Sequence, residues 1–285
     1  MNSLLIWNNM ENNKKKWNDI LIFTCYFLIS TSIPFNLFIK NELVVSIINI
    51  IIKSLFIVFS IFYIKKYNFS KIELKKLKIN SLLFLPFLLI CASNFYVCFI
   101  DKIAINKDIN ILNLIINLLF CLLTAINEEI VFRGVIFKEF KNNNSNFKAI
   151  LYSSFTFGLV HILNISSIAS IPYTLLQCLY SFALGLVLSL AYCYSSNLII
   201  PILIHFLFNF LNDYLVNCLY DYAINKTFFI VNVLVAIIFS IYGIIIYKYF
   251  KRKDDLNATT NMDIWYIFNN DWTWCNSLLI AIHAI

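Results

Sequence analysis

Residues 109–126, INILNLIINLLFCLLTAI, run without a charged side chain and lead directly into Asn127-Glu128-Glu129-Ile130-Val131-Phe132-Arg133. An uncharged apolar run of this length matches the roughly 20 residues that a helix needs to cross a hydrocarbon core about 30 Å thick. Three ionisable residues at its end are then the exception that needs a reason, because charge within a membrane helix is costly and turns toward protein or water rather than lipid. The apolar half of the pattern recurs along the chain. Further runs extend from Ile20 to Ile39, Leu43 to Ile64, Ser81 to Ile100, Ala149 to Ile165, Tyr173 to Tyr194, Leu198 to Leu215 and Phe228 to Phe250, eight candidate spans in all.

Composition supports the same class. Hydrophobic residues make up 61% of the 285 and charged residues 13%, with a mean hydropathy of +0.79. A soluble domain carries about 25% charged residues, so this chain lacks the charge for a fully solvated surface. An all-α, polytopic membrane bundle of about eight helices is expected. Four glycines and four prolines argue against Gly-rich phosphate loops and long disordered linkers. The eight cysteines show no CxxC spacing and fall mostly in apolar runs, where cysteine acts as a small hydrophobe.

The net charge of +7 is read from its placement and not as a sign of nucleic acid. Lys14–Lys16, the loop holding Lys65, Lys66, Lys71, Lys75, Lys76 and Lys78, the group Lys138, Lys141 and Lys148, and Lys251–Lys253 alternate with loops holding Lys40, then Lys102 and Lys107, then Lys226. Basic loops stay in the cytoplasm, so the alternation places both termini there. The first run follows Lys14–Lys16 but is too long for a signal peptide and lacks a small-residue cleavage site; it reads as an anchor. Three parts are expected: a cytoplasmic segment 1–19, a membrane domain 20–250, and a tail 251–285, basic and then Trp-rich, at the interface or poorly ordered.

The ionisable residues in or beside the spans are few: Lys53, Glu128, Glu129, Arg133, His161, His205 and Asp213. Glu129 and Arg133 are four residues apart, share a helical face and can pair. Glu128 points about 100° away, free to act as a general base or a ligand. One buried ion-pair cluster of all three is the structural alternative. His161 shares a face with Phe157, and His205 with Asn209, so each histidine has an aromatic or polar neighbour one turn away. A histidine in such a span is otherwise a helix-to-helix hydrogen bonder. Asp213 nears a helix end in a supporting place, and Lys53 is expected to reach a carbonyl in preference to lining a cavity. At 1.5 Å of rise per residue, Glu128 lies about 15 Å, His161 about 18 Å and His205 about 12 Å from the cytoplasmic helix ends. Similar depths on three helices point to one site opening toward the cytoplasm.

Glu-Glu-x-x-x-Arg, then Phe-x-x-x-His, then His-x-x-x-Asn, each on its own membrane helix, resembles the CPBP intramembrane proteases. These include the type II CAAX prenyl endopeptidases and bacterial bacteriocin-processing and self-immunity proteins. Glu128, Glu129 and Arg133 carry the first motif, with Gly134 after it; Phe157 and His161 carry the second, and His205 and Asn209 the third. The resemblance covers about Ile109 to Leu215. It implies endoproteolysis of a membrane-associated peptide or protein, lipidated or leader-bearing, near the cytoplasmic face. By the same resemblance Glu128 and His161 activate water, His205 and Asn209 stabilise the oxyanion, and Glu129, Arg133 and Phe157 support them.

A metal-independent reaction without cofactor is favoured. The alternative is zinc held by Glu128, His161 and His205, a three-ligand set with one place for water, although no H-E-x-x-H helix is present. The expected partners are the substrate and the lipid bilayer. The Asn-, Ile- and Lys-rich composition points to an AT-rich bacterium, hence its plasma membrane. A non-enzymatic bacteriocin-immunity or regulatory binding protein is the competing class. A transporter is disfavoured because no internal repeat and no Gly/Pro-broken helix pair is visible.

Overall fold

The computed structural model describes residues 18, 20–29, 33, 35, 38–66, 87, 91–105, 110–165, 167–220 and 224–259, excluding the side chains of 65, 66, 143, 213 and 253–259. Their helices are α1 (Ile20–Ile29), α2 (Glu42–Lys66), α3 (Ser93–Ile100), α4 (Ile111–Glu129), α5 (Lys138–Asn143), α6 (Asn146–Val160), α7 (Ile171–Ser195), α8 (Ile199–Asn209), α9 (Val216–Leu219) and α10 (Lys226–Thr259). No strand occurs among the described residues. Lys14–Lys16, Lys71–Lys78, much of the third apolar run and the Trp-rich tail lie outside them, as does the Asp213 side chain.

Short polar side chains fix where the apolar runs become helix. A helix leaves its first backbone N–H groups without partners, and an asparagine or serine just before it supplies an acceptor. Asn41 Oδ1 accepts from Val44 N–H before α2, Asn110 Oδ1 from Asn113 N–H before α4, and Ser145 Oγ from Lys148 N–H before α6. Asn225 Oδ1 does the same for Phe228 N–H at the start of α10. The α7–α8 connection is tight because Ser196 adopts a left-handed conformation (φ 51°) and ends α7.

Five stretches are long and apolar enough to cross a membrane: Glu42–Ile64, Ile111–Asn142, Ile168–Ser195, Ile199–Leu219 and Lys226–Arg252. They correspond to the second, fourth, sixth, seventh and eighth apolar runs. The protein is therefore an all-helical, multi-pass membrane protein in its described part. The fifth run differs from expectation. α6 stops at Val160 after 15 residues, and His161–Asn164 form a 3-10 turn, so His161 stands at a helix end and not inside a span reaching Ile165.

The fourth and seventh runs also depart from a uniform α-helix. After Glu129 the chain winds as a π-helix over Ile130–Phe137 before α5, and after Asn209 it does so again over Phe210–Leu215 before α9. Such wide i→i+5 turns are rare and gather at functional sites. The Phe132 carbonyl in the first of them accepts from Ser153 Oγ of α6 at 2.9 Å, which helps satisfy a backbone group where the winding changes.

α7 is the most enclosed long helix, with 67% of its apolar window buried against 17% for α2, so α7 forms the centre of the bundle. α2 shows Leu55 and Phe62 61% and 68% exposed, a face suited to lipid. α6 crosses α7 at backbone distance. A Cβ on Gly158 would stand 2.8 Å from the Cys178 carbonyl oxygen, and one on Gly185 would stand 3.0 Å from Ser154 Cα. Small residues permit this approach in membrane bundles. A buried polar seam joins α3, the second π stretch and α10: Asn94 Nδ2 donates to the Asn212 carbonyl at 2.9 Å, Asn94 N–H donates to Asn212 Oδ1 at 2.9 Å, and Asn232 Nδ2 donates to Asn94 Oδ1 at 3.1 Å. The chain divides into two compact units, 1–243 and 244–285, and the α6–α7 crossing and the polar seam both lie within the first.

Candidate functional site

The site is built where α4 turns into its π stretch. Glu129 and Arg133 are both fully buried and pair one turn apart, Arg133 Nη1 donating to Glu129 Oε1 at 2.7 Å. Arg133 Nη2 also donates to the Gly185 carbonyl of α7 at 3.1 Å, and the guanidinium lies 4.6 Å from the centre of the Phe157 ring. Arg133 thus ties α4 to α7 and α6 at once. A bare guanidinium here would be prohibitive, and it is tolerated through the carboxylate, the carbonyl and the aromatic face.

Glu129 Oε1 has a second neighbour, His205 Nδ1 of α8, at 2.9 Å. A carboxylate oxygen paired with an arginine can only accept, so the ring proton is assigned to Nδ1. That bond fixes the imidazole plane and directs Nε2 to the other side. There it stands 3.5 Å from Glu128 Oε2, whose side chain keeps 13% of its exposure. The adjacent glutamates therefore separate as helical geometry predicts: Glu129 is locked into the protein, while Glu128 faces a cavity. The single three-residue ion cluster weighed from the sequence is not formed in that shape, since Arg133 takes Glu129 and His205 lies between the two carboxylates.

That cavity, about 380 Å³, is lined by Glu128, His161, His205 and Asn209 together with Phe157 and Lys53. Phe157 holds both histidines edge-on, with ring centres 5.5 Å from His161 and 5.4 Å from His205. His161 Nε2 is buried and has no hydrogen-bond partner among the described residues. Asn164 Nδ2 lies 3.5 Å from its Nδ1 and donates to Gln177 Oε1 of α7 at 3.0 Å. All four residues expected to react, and the three expected to support them, are thus gathered in one place.

Lys53 differs from expectation. Among the described residues its ammonium reaches no carbonyl; it stands 4.7 Å from the centre of the Phe120 ring on the cavity wall, and it is its own backbone carbonyl that accepts from Asn127 Nδ2 at 3.0 Å. Asn164 and Gln177 were not singled out from the sequence. An uncharged amide near a span end gives little signal in a chain so rich in asparagine.

Among the described residues no three His, Cys, Asp or Glu side chains are grouped so as to hold a metal ion. Of the alternative zinc set of Glu128, His161 and His205, His205 donates from Nδ1 to Glu129 and turns Nε2 toward Glu128 Oε2 at 3.5 Å, the orientation of a histidine whose free nitrogen faces the cavity.

Fold and site together define a multi-pass helical membrane protein with a buried carboxylate, two histidines and an amide around one cavity. Residues 110–211 match the family described as type II CAAX prenyl endopeptidase Rce1-like. That segment runs from the cap of α4 into the second π stretch and holds Glu128, Glu129, Arg133, Phe157, His161, His205 and Asn209, so the resemblance drawn from the motifs is borne out over it. The family is one of membrane proteases. No curated protein and no solved structure matches the chain.

Proposed function

We propose that the protein is an intramembrane endopeptidase that hydrolyses a peptide bond of a membrane-associated peptide or protein, lipidated or leader-bearing, near the cytoplasmic face. The observation that carries this reading is the separation of the two glutamates, one locked to Arg133 and His205, the other facing the cavity beside His161 and Asn209. In this reading residues 20–250 are the protease domain, with eight spans and both termini in the cytoplasm of a bacterial cell.

The chemistry follows from the positions. A water between Glu128 and His161 loses a proton to Glu128 as its oxygen attacks the scissile carbonyl carbon. The carbonyl oxygen becomes an oxyanion, for which Asn209 Nδ2 and His205 Nε2 are the donors. Because His205 Nδ1 already donates to Glu129, Nε2 donates only when the ring carries a proton there as well. Collapse of the intermediate breaks the C–N bond, and Glu128 returns its proton to the leaving amine. Glu129 and Arg133 lie behind the cavity wall and, with Phe157 on that wall, hold the His205 ring; proper placement of such groups is worth orders of magnitude in rate. Each oxyanion donor contributes about 3–4 kcal/mol at the transition state.

The test is Glu128→Gln, nearly isosteric and unable to take a proton. Purified in detergent, it is expected to remain folded, with the wild-type unfolding temperature, and to lose cleavage of a membrane-peptide substrate that the wild type processes. Wild-type turnover by this variant sinks the assignment of the base.

A further inference from the structure

α6 ends at Val160, and His161–Asn164 wind as a 3-10 turn. Residues three apart on an α-helix are offset by about 60°, whereas in a 3-10 turn they eclipse. The tighter winding sets the Asn164 side chain beside the His161 ring, with Asn164 Nδ2 3.5 Å from His161 Nδ1. Gln177 of α7 fixes that amide, its Oε1 accepting from Asn164 Nδ2 at 3.0 Å. An amide nitrogen carries two protons, so one goes to Gln177 and the other is left for His161. At 3.5 Å the second bond is long, as hydrogen bonds in active sites commonly are before substrate closes them.

A donor at Nδ1 decides the tautomer. A neutral imidazole has one proton, and with Nδ1 accepting it is assigned to Nε2. Nε2 is buried and has no partner among the described residues, while His161, Asn164 and Gln177 all line the cavity. The Phe157 ring, edge-on to His161 at 5.5 Å, braces the imidazole. His205 is set the opposite way: its Nδ1 meets an acceptor, Glu129, and keeps the proton there. The two histidines of the site are therefore built as opposite tautomers.

We propose that Asn164, backed by Gln177, is a positioning residue that holds neutral His161 with its proton on Nε2. His161 then donates to the oxygen of the attacking water, and Glu128 alone takes the water's proton. One O–H bond of the water breaks, its proton passes to Glu128, and the oxygen bonds to the scissile carbonyl carbon while the Nε2 proton stays on nitrogen. This rests on the endopeptidase reading and divides the work of its two water-binding groups.

The experiment combines nitrogen NMR of full-length protein labelled with 15N-histidine, in detergent at about pH 8 where an ordinary imidazole is neutral, with cleavage kinetics. His161→Gln assigns the His161 signals. Wild type is expected to show Nε2 protonated and Nδ1 bare. Asn164→Asp, equal in shape but accepting only, is expected to draw a proton to Nδ1. Asn164→Ala is expected to lower kcat about tenfold with KM within about twofold, and Asn164→Asp to lower it about a hundredfold or more, because a reversed tautomer is worse than a loose one. A His161 protonated on Nδ1 in the wild type overturns the proposal whatever the variants do. So does an Asn164→Asp as active as Asn164→Ala, or a loss carried by KM at constant kcat, which would make Asn164 a substrate contact. If wild type cuts no membrane peptide offered, the endopeptidase reading fails, and the wild-type and Asn164→Asp spectra still decide whether Asn164 sets the tautomer.

Discussion

Replacing Arg133 by methionine tests the internal frame of the site. The side chain is fully buried and has its strongest contact in the 2.7 Å bond to Glu129, with the Gly185 carbonyl at 3.1 Å and the Phe157 face at 4.6 Å. Methionine fills much of the space but leaves the Glu129 carboxylate buried with His205 alone. Removing one partner of a buried pair costs about 3–5 kcal/mol, because the remaining charge is uncompensated. For a unit of this size that lowers the unfolding temperature by about 6–20 °C. Glu129→Gln alone leaves the guanidinium without its counter-ion and is expected to be similarly harmful. The double variant removes both charges and should lose less than the sum of the single losses, by about 1.5–3 kcal/mol. Unfolding can be followed through reaction of a thiol-directed dye with the buried Cys91, Cys98, Cys121 and Cys193. Losses that add to within about 0.5 kcal/mol would show that the two residues do not act as a pair, and the account of how His205 is held would fall with it.

Asn209→Ala is expected to lower kcat by about 10²–10³-fold with little change in unfolding temperature, since the residue is a proposed oxyanion donor on a cavity wall; a kcat within threefold or so of wild type removes it from that role. Gly158→Val is expected to destabilise the protein by about 1–3 kcal/mol, because its Cβ would stand 2.8 Å from the Cys178 carbonyl and force α6 from α7; an unchanged melting curve contradicts the close crossing. Activity should persist after exhaustive chelation, with no stoichiometric metal by elemental analysis; loss on chelation and recovery with zinc would decide for the three-ligand set of Glu128, His161 and His205.

How much of this was legible beforehand follows from how each signal is encoded. The helical membrane class comes from composition and run length alone, since lipid enforces helix wherever a chain crosses it. The pairing of Glu129 with Arg133, and the divergence of Glu128 from both, follow from spacing, because a helix fixes the angle between neighbours whatever surrounds it. Phe157 with His161, and His205 with Asn209, were found by the same rule. The shortened α6 was hidden, because Ile162, Leu163 and Ile165 are as apolar as the helix before them while the backbone turns into a 3-10 winding at His161. The π stretches after Glu129 and Asn209 were hidden too: nothing in Ile130–Phe137 or Phe210–Leu215 marks a wider turn.

The sequence by itself therefore determined the membrane class, the few charges that matter and the faces from which they project, because these depend on local geometry and on the solvent that lipid provides. Which of those faces meet is a matter of packing between helices far apart in the chain. The structure places His205 between the two glutamates, sets Phe157 beneath Arg133 and against both histidines, and lays the Lys53 ammonium on Phe120 in place of a carbonyl. Such contacts depend on how closely α6 approaches α7 at Gly158 and Gly185 and on where Asn127 pins α2, distances that no periodicity along one helix contains.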